Sequence, residues 1–320
     1  MTRVCHILAV HFVMNGFKIA LRNDQSKRRT RMTHTFGISL RAAALTCLLV
    51  WGSALYAADT AKGTVDRMYV LECGESKTND VSANWSPGVN VGESREFSDN
   101  CYLIRHGDRL FMWDSGLSDS IADKPEGVTS ANGLLTMWVR KTLASQLAAI
   151  GVASTDVTDL AVSHFHSDHV GNANLFSSAK LYIQDAEYAA AFGPDASKFG
   201  FAPPLYEKLK ANEMLKLNGD HDVFGDGSVV ILSTPGHTPG HQCLLVRMPE
   251  RGTVILSGDM THFHENWTER RVPSRNFNKQ QSIQSMERIA ALLSAEHAEL
   301  WINHNKTQSA TIPKAPQAVR

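Results

Sequence analysis

His164-Phe165-His166-Ser167-Asp168-His169 puts four metal-capable side chains into six residues, directly after the short apolar run 160–163. An extended segment points alternate residues the same way, so His164 and His166 can grip one ion. Asp168 and His169 follow where the chain turns and can face a second. With 14 histidines in 320 residues, three of them in one such cluster is poorly explained as a polar surface loop, and a metal centre is the reading.

Working outward, three more ligand candidates sit at the ends of apolar runs. Thr234-Pro235-Gly236-His237-Thr238-Pro239-Gly240-His241 is a turn in which proline and glycine fix the backbone around His237. Gly258-Asp259 ends the run 253–257, and Asn303-His304-Asn305 ends the run 300–302. Each alone is weak, since a histidine after a strand is commonly a hydrogen-bonded structural residue. Together with the cluster they make seven ligands, enough for two ions sharing one carboxylate. An Asp between two divalent cations is stabilised as an anion and fixes their spacing at ~3.5–4 Å, the geometry of two-metal hydrolysis.

The elements carrying these motifs alternate. Residues 68–73, 101–104 and 109–113 read as strands, the last ending in Asp114-Ser115-Gly116. Residues 134–150 show apolar spacings of three and four, a helix closed by Gly151. Residues 160–163 and 180–184 are strands, and Asp185 caps a helix through 192. Residues 228–233, 242–248 and 253–257 are strands, 279–297 an amphipathic helix and 299–303 a last strand. The polar stretch 76–99 reads as a long loop, and the weakly periodic 194–220 as a cover over one face.

Composition agrees with a globular α/β chain: 43% of residues are apolar and 20% charged. The net charge of zero conceals an asymmetry. Residues 1–57 hold eight Lys/Arg against the single acid Asp24, leaving 24 basic and 31 acidic residues in 58–320, a net of −7. Such a body does not suit non-specific nucleic-acid binding. Ala42 to Trp51 is an apolar core between Arg41 and a run of small residues, the pattern of a secretory signal peptide cut after Ala57 or Ala58. It is too short for a stable membrane anchor, and Met32 is a better start for it than Met1. Residues 58–320 then form one domain, periplasmic or secreted. Cleavage would leave Cys73, Cys101 and Cys243, an odd number without a CxxC pair. At most one bridge can form, and burial as small hydrophobes is the expectation.

The H-x-H-x-D-H cluster, followed in order by His, Asp and His at strand ends, resembles the metallo-β-lactamase superfamily. The resemblance spans about 66–316 and implies an αββα four-layer sandwich: two mixed β-sheets face to face, helices outside, two Zn²⁺ at one edge. Carried over residue by residue, His164, His166 and His237 hold one ion, Asp168, His169 and His304 the other, and Asp259 bridges. Asp114 matches the family's buried Asp, which orients the ligand loop. Residues 233–246, the Asn100-Cys101-Tyr102-Leu103-Ile104 strand and the stretch 255–266 resemble exported N-acyl homoserine lactonases. β-Lactamases of the superfamily typically have Cys or Ser where Asp259 stands, which ranks a lactone substrate above a β-lactam.

That resemblance implies quorum quenching by lactone hydrolysis. A hydroxide formed between two Zn²⁺ near neutral pH attacks the lactone carbonyl, and Asp168 carries a proton to the leaving alkoxide. Other hydrolyses on the same ligand set (an organophosphate triester, a β-lactam or another ester) are the alternative, and a mononuclear iron dioxygenase is a more distant one. The expected partner is a small molecule with an apolar chain, and a homodimer is left open. Trp85, Leu134, Met137, Trp138, Phe199, Phe201, Pro203 and Leu205 are candidates for the acyl pocket. The chain departs from the better-known lactonases at His262, which stands three residues after Asp259, where they place a tyrosine. An imidazole N–H can replace the phenol as donor to a developing oxyanion. His241 is expected to bond backbone in its turn, and His106, His221 and His297 to face solvent.

Overall fold

The computed structural model describes residues 62–320. The export segment at 1–57, its alternative start at Met32 and the cleavage point at Ala57 or Ala58 lie outside the described residues. Among the described residues no helix is long and apolar enough to cross a membrane.

As expected, two mixed β-sheets form the body. The first holds β1 (Arg67–Thr78), β2 (Arg95–His106), β3 (Arg109–Trp113), β4 (Val128–Thr129), β5 (Leu135–Trp138), β6 (Asp159–Ala161), β7 (Lys180–Gln184) and β8 (Met214–Leu217), in the order β4-β5-β1-β2-β3-β6-β7-β8. The second holds β9 (His221–Asp222), β10 (Val229–Ser233), β11 (Gln242–Met248), β12 (Gly252–Leu256) and β13 (Glu299–Trp301), in the order β13-β12-β11-β10-β9. The C-terminal β14 (Ala318–Val319) returns to pair with β1. The run β3-β6-β7-β8 is parallel, as is β12-β13; the other pairs are antiparallel. The helices are α1 (Leu143–Ala149), α2 (Ser167–Val170), α3 (Asp185–Ala191), α4 (His264–Glu269), α5 (Lys279–Ala295) and α6 (Lys306–Ser309).

The layering follows from the period of two along a strand. Val70, Tyr102, Ile104, Phe111 and Trp113 turn inward, against Leu244, Val246, Val254, Leu256 and Trp301 of the second sheet. Their neighbours Leu71, Leu103 and Met112 face the opposite way and pack on Leu143 and Leu147 of α1 and Ala190 and Ala191 of α3. On the far side, Cys243, Leu245 and Ile255 pack on Met286 and Ile289 of α5. Both faces of each sheet are thus covered, so the strands read as nearly continuous apolar runs.

Four expectations are corrected. Residues 134–150 are not one helix. Leu135–Trp138 pairs with β1 and β4, and α1 begins only after Thr142, whose hydroxyl accepts from Ser145 N at 3.1 Å. Asp119 also accepts from Leu143 N at 2.8 Å, which pins the helix start. The stretch 76–99 is not all loop: β1 runs to Thr78 and β2 starts at Arg95, because pairing with β2 and β5 satisfies the polar backbone of Glu75–Thr78 from both sides. Asp185 is the first residue of α3, with Gln184 in the capping position. Finally, Cys73 and Cys101 are bridged across β1 and β2, where the register shifts between Glu72 and Gly74; Cys243 is free and buried.

The bridge closes a chain separation of 28 residues. Constraint of the unfolded chain by a loop of that size is worth about 3–4 kcal/mol. The double variant Cys73→Ala/Cys101→Ala should therefore melt about 10 °C lower. Differential scanning calorimetry of the oxidised wild type against the variant checks it; an unchanged Tm would show that the bridge does not stabilise the fold.

Candidate metal centre

Every candidate ligand comes from a segment that follows a strand's C-terminal end. β6 leads into His164–His169, β10 into the turn bearing His237, β12 into Asp259 and β13 into His304. Gly258 makes the Asp259 turn: its φ is +48°, and an added Cβ would lie 2.6 Å from Ser163 Cβ and 2.8 Å from His241 Nε2. Only glycine permits that approach.

The side chains converge. Asp259 Oδ2 lies 3.5 Å from His237 Nε2 and 3.8 Å from His164 Nε2. Its Oδ1 lies 2.9 Å from His304 Nε2 and 3.2 Å from His169 Nε2. The two oxygens of one buried carboxylate therefore face two different ligand groups. His164, His166, His237 and Asp259 form one cluster of donor atoms and Asp168, His169 and His304 another, each within 4.8 Å.

Hydrogen bonds on the outer sides of the rings decide which nitrogen faces inward. His166 Nε2–H donates to Phe199 O at 3.0 Å, leaving Nδ1 as an acceptor lobe. His304 Nδ1–H donates to Ser98 O at 2.8 Å, and His169 Nδ1–H to Asp114 Oδ2 at 3.0 Å. His164 Nδ1 contacts Ser163 Oγ at 3.1 Å. The inward nitrogens are crowded: His166 Nδ1 is 2.8 Å from His164 Nε2 and 3.1 Å from His237 Nε2. Ligands ~2.0–2.1 Å from a tetrahedral zinc are separated by about 3.3 Å, close to this spacing. His169 Nε2 and Asp259 Oδ1 are buried without a hydrogen-bond partner. Inward acceptor lobes at such distances fit a cation between them, and the residues present suit two divalent ions.

Electrostatics agree. Burial pushes the pKa of His164 and of His237 well below the ordinary imidazole value, and that of His166 also down, which favours neutral rings with a lone pair to offer. Burial opposes charge on His169 and His304 too, but Asp259 outweighs it, holding His169 well above the usual range and His304 up to about 9. Burial works against Asp259 as an anion, yet His304 and His169 keep its pKa well below the carboxylate range.

Two carboxylates brace the ligand loops from behind. Asp114 accepts from Ser163 N at 2.6 Å, from Ser163 Oγ at 3.0 Å and from His169 Nδ1. It holds that position with φ +58°, a left-handed conformation that a non-glycine residue adopts at a cost. Glu187, at the start of α3, accepts from Phe165 N at 3.2 Å and from Gly240 N at 2.8 Å. It clasps the loop of His164 and His166 to the loop of His237, although burial pushes its carboxyl up to about 7. Sequence reasoning missed Glu187; its one trace was the close backbone approach implied by Gly240, where a Cβ would sit 2.5 Å from Glu187 N. His241 bonds Thr234 O at 3.1 Å, as expected for that turn, and its Nε2 also accepts from Asp259 N at 3.0 Å.

His262 is buried beside these groups, its Nε2 3.1 Å from Asp259 Oδ2 and its ring stacked on His304 at 5.3 Å. Of the other histidines, His297 is exposed, whereas His106 and His221 are half-buried, contrary to expectation. His106 stacks on Phe224 at 4.5 Å and lies 3.2 Å from Asp226.

A cleft of about 680 Å³ opens over the centre, lined by His166, Asp168, His237, Asp259 and His262 at its floor. Of the expected pocket residues, Trp85 and Phe199 line it. Leu134, Met137, Trp138, Pro203 and Leu205 do not: 135–138 is a strand of the first sheet paired on both sides, and Leu205 packs on the core under α1 and α3. Phe201 is buried behind His166, ring centroids 5.5 Å apart. The remaining wall comes from Asn84, from the neighbours of Phe199 and His237, and from 274–277; the sequences at Asn84 and 274–277 carried no signal of it.

Fold and site together define a four-layer α/β sandwich that gathers two clusters of metal-capable side chains on its rim, with one carboxylate facing both. The family model of the metallo-beta-lactamase superfamily matches residues 95–295, and the chain belongs to that superfamily. It is 28% identical over 262 residues to the N-acyl homoserine lactonase AttM of Rhizobium radiobacter, covering 78% of this chain and 97% of that protein. To the N-acyl homoserine lactonase AiiA of Bacillus thuringiensis subsp. kurstaki it is 26% identical over 262 residues, covering 80% and 100%. A solved N-acyl homoserine lactone hydrolase, with the product N-hexanoyl-L-homoserine bound at its catalytic metal center, shares the fold. Its TM-score is 0.70 at 23% identity, over 80% of this chain and 100% of that one.

Removing the brace behind His169 should be felt at the metals. Asp114→Asn keeps the shape but loses the acceptor charge, and should weaken divalent-metal affinity roughly 10- to 100-fold. Competition with a chromophoric chelator measures it; wild-type affinity in the variant would mean that Asp114 does not orient the ligands.

Proposed function

We propose that this protein is a dinuclear zinc hydrolase that opens the lactone ring of N-acyl homoserine lactones, and so silences a quorum signal. The observation that carries the reading is Asp259, whose two oxygens face two separate ligand groups. Relatives named as N-acyl homoserine lactonases, aligned over nearly their whole length, support the substrate. Two zinc ions held there, one by His164, His166 and His237, the other by Asp168, His169 and His304, would supply a nucleophilic hydroxide near neutral pH and Lewis acidity for the carbonyl.

The chain's own residues do the rest. The cleft admits the ester with its carbonyl toward the floor and its chain toward Trp85 and Phe199. Asp168, one-third exposed where its neighbouring ligands are buried, is the floor carboxylate that reaches both solvent and ester. It holds the proton that passes to the leaving alkoxide oxygen. His262 donates an N–H toward the oxygen on which charge develops, the role a phenol would take at this position. We place the reaction outside the cytoplasm; the Cys73–Cys101 bridge favours an oxidising compartment, in keeping with the export pattern of the N-terminal sequence.

Supplying an acyl homoserine lactone to the zinc-loaded mature protein and titrating acid release tests the substrate. Release is expected, and it should disappear on chelation and return with zinc; none from the loaded protein would overturn the assignment. Asp259→Ala should lower bound metal below two equivalents and abolish turnover. His262→Ala should keep both metals and lose roughly 10- to 1000-fold in kcat, the range for loss of an oxyanion donor. Metal analysis beside steady-state kinetics separates the two variants, and an unchanged kcat in His262→Ala would remove that residue from the chemistry.

A further inference from the structure

The loop 274–278 crosses the mouth of the cleft and is fastened at both ends. Ser274 N donates to Asn84 O at 2.7 Å, and Arg275 N to Asn84 Oδ1 at 2.9 Å. At the other end Phe277 N donates to His237 O at 3.1 Å, Asn278 N to Gly236 O at 2.8 Å and Asn276 Nδ2 to Gly236 O at 2.7 Å. The backbone of Arg275 is therefore held between one wall of the cleft and the loop of a metal ligand.

Its guanidinium, by contrast, has no ion pair or hydrogen bond among the described residues, although it lines the cleft. The other cation there, Lys198, is neutralised by Asp195 at 2.8 Å. The carboxylates lining the cleft, Asp168 and Asp259, belong to the metal groups. The same wall carries aromatics: Phe277 is 52% exposed, and its ring centroid is 6.0 Å from that of Phe199. The cleft thus combines metal-capable side chains at its floor, an uncompensated guanidinium on a tethered backbone, and an aromatic pair in its wall.

A plain alkyl chain would bury part of that guanidinium against methylenes with nothing to replace its lost water. A chain with a second carbonyl β to its amide presents two oxygens that can lie coplanar, and the planar donor fork of arginine matches such a pair. We infer that Arg275 is a specificity-determining residue that selects 3-oxoacyl chains, their two carbonyl oxygens accepting from its guanidinium while the alkyl remainder lies on Phe199 and Phe277. The inference rests on the lactonase reading and adds the class of acyl chain to it.

The test compares 3-oxo-octanoyl and octanoyl homoserine lactone on the zinc-loaded wild type, Arg275→Met and Arg275→Lys, with zinc content and Tm recorded for each. The wild type should favour the 3-oxo ester in kcat/KM by roughly 10- to 100-fold, the worth of a hydrogen bond to a charged donor. Arg275→Met should bring the ratio to about 1, and Arg275→Lys should fall between, since lysine keeps the charge without the fork. Calorimetric titration of metal-free protein with the two ring-opened acyl homoserines should show the same order of affinity, lost in Arg275→Met. Opening of both esters by the wild type without preference, or a preference that survives Arg275→Met, overturns the inference and leaves the lactonase reading in place. A zinc-loaded wild type that opens neither ester overturns the lactonase reading and the inference with it.

Discussion

Imidazole nitrogens and carboxylate oxygens cannot be buried with their lone pairs facing one another unless positive charge sits among them. The rim of this sandwich is organised around that constraint. His166 Nδ1 and His164 Nε2 face each other at 2.8 Å because the far side of each ring is engaged by Phe199 O or Ser163 Oγ. His304 and His169 are turned inward in the same way by Ser98 O and Asp114. Donor groups so arranged suit cations placed between them.

Holding such an arrangement open requires stiffness nearby. The left-handed backbone at Asp114 and the close approach at Gly258 are local costs that the two packed sheets must offset. They do so from the inter-sheet core, where Trp113 of the first sheet and Trp301 of the second are both fully buried. Those two residues end β3 and β13, immediately ahead of Asp114 and of the segment leading to His304. Large buried side chains therefore lie directly ahead of the strained Asp114 and of the His304 segment, so site geometry and core stability share the same strand ends.

The side chains that converge around Asp259 were legible in the sequence because four of them fall within six residues and the others follow apolar runs that could only be buried strands. The two-sheet architecture was legible for the same reason. Less could be read where tertiary pairing overrides local pattern. Leu135–Trp138 has helical spacing but finds strand partners on both sides, and the polar end of β1 is a strand only because β2 and β5 complete its hydrogen bonds. The cysteine bridge depends on a register shift that no spacing announces. The cleft walls were hardest: Asn84 and Arg275 lie 191 residues apart and meet through one hydrogen bond, from Arg275 N–H to Asn84 Oδ1. An apolar pocket was expected from apolar residues, yet several of those face the core and the cleft contains a charge.

Glu187 carries a consequence for how this scaffold can change. One carboxylate receives backbone N–H groups from both Phe165 and Gly240, so the segment bearing two histidines and the segment bearing the third are spliced through a residue that belongs to neither. The unit of inheritance for one half of the centre is thus a triplet: two loops and the first turn of α3. A chimera that imports either loop from a relative without the matching carboxylate would inherit its histidines but not the angle at which they meet. Recombination between lineages should accordingly preserve breakpoints outside the block from Phe165 to Gly240, whatever drift the intervening surface has undergone.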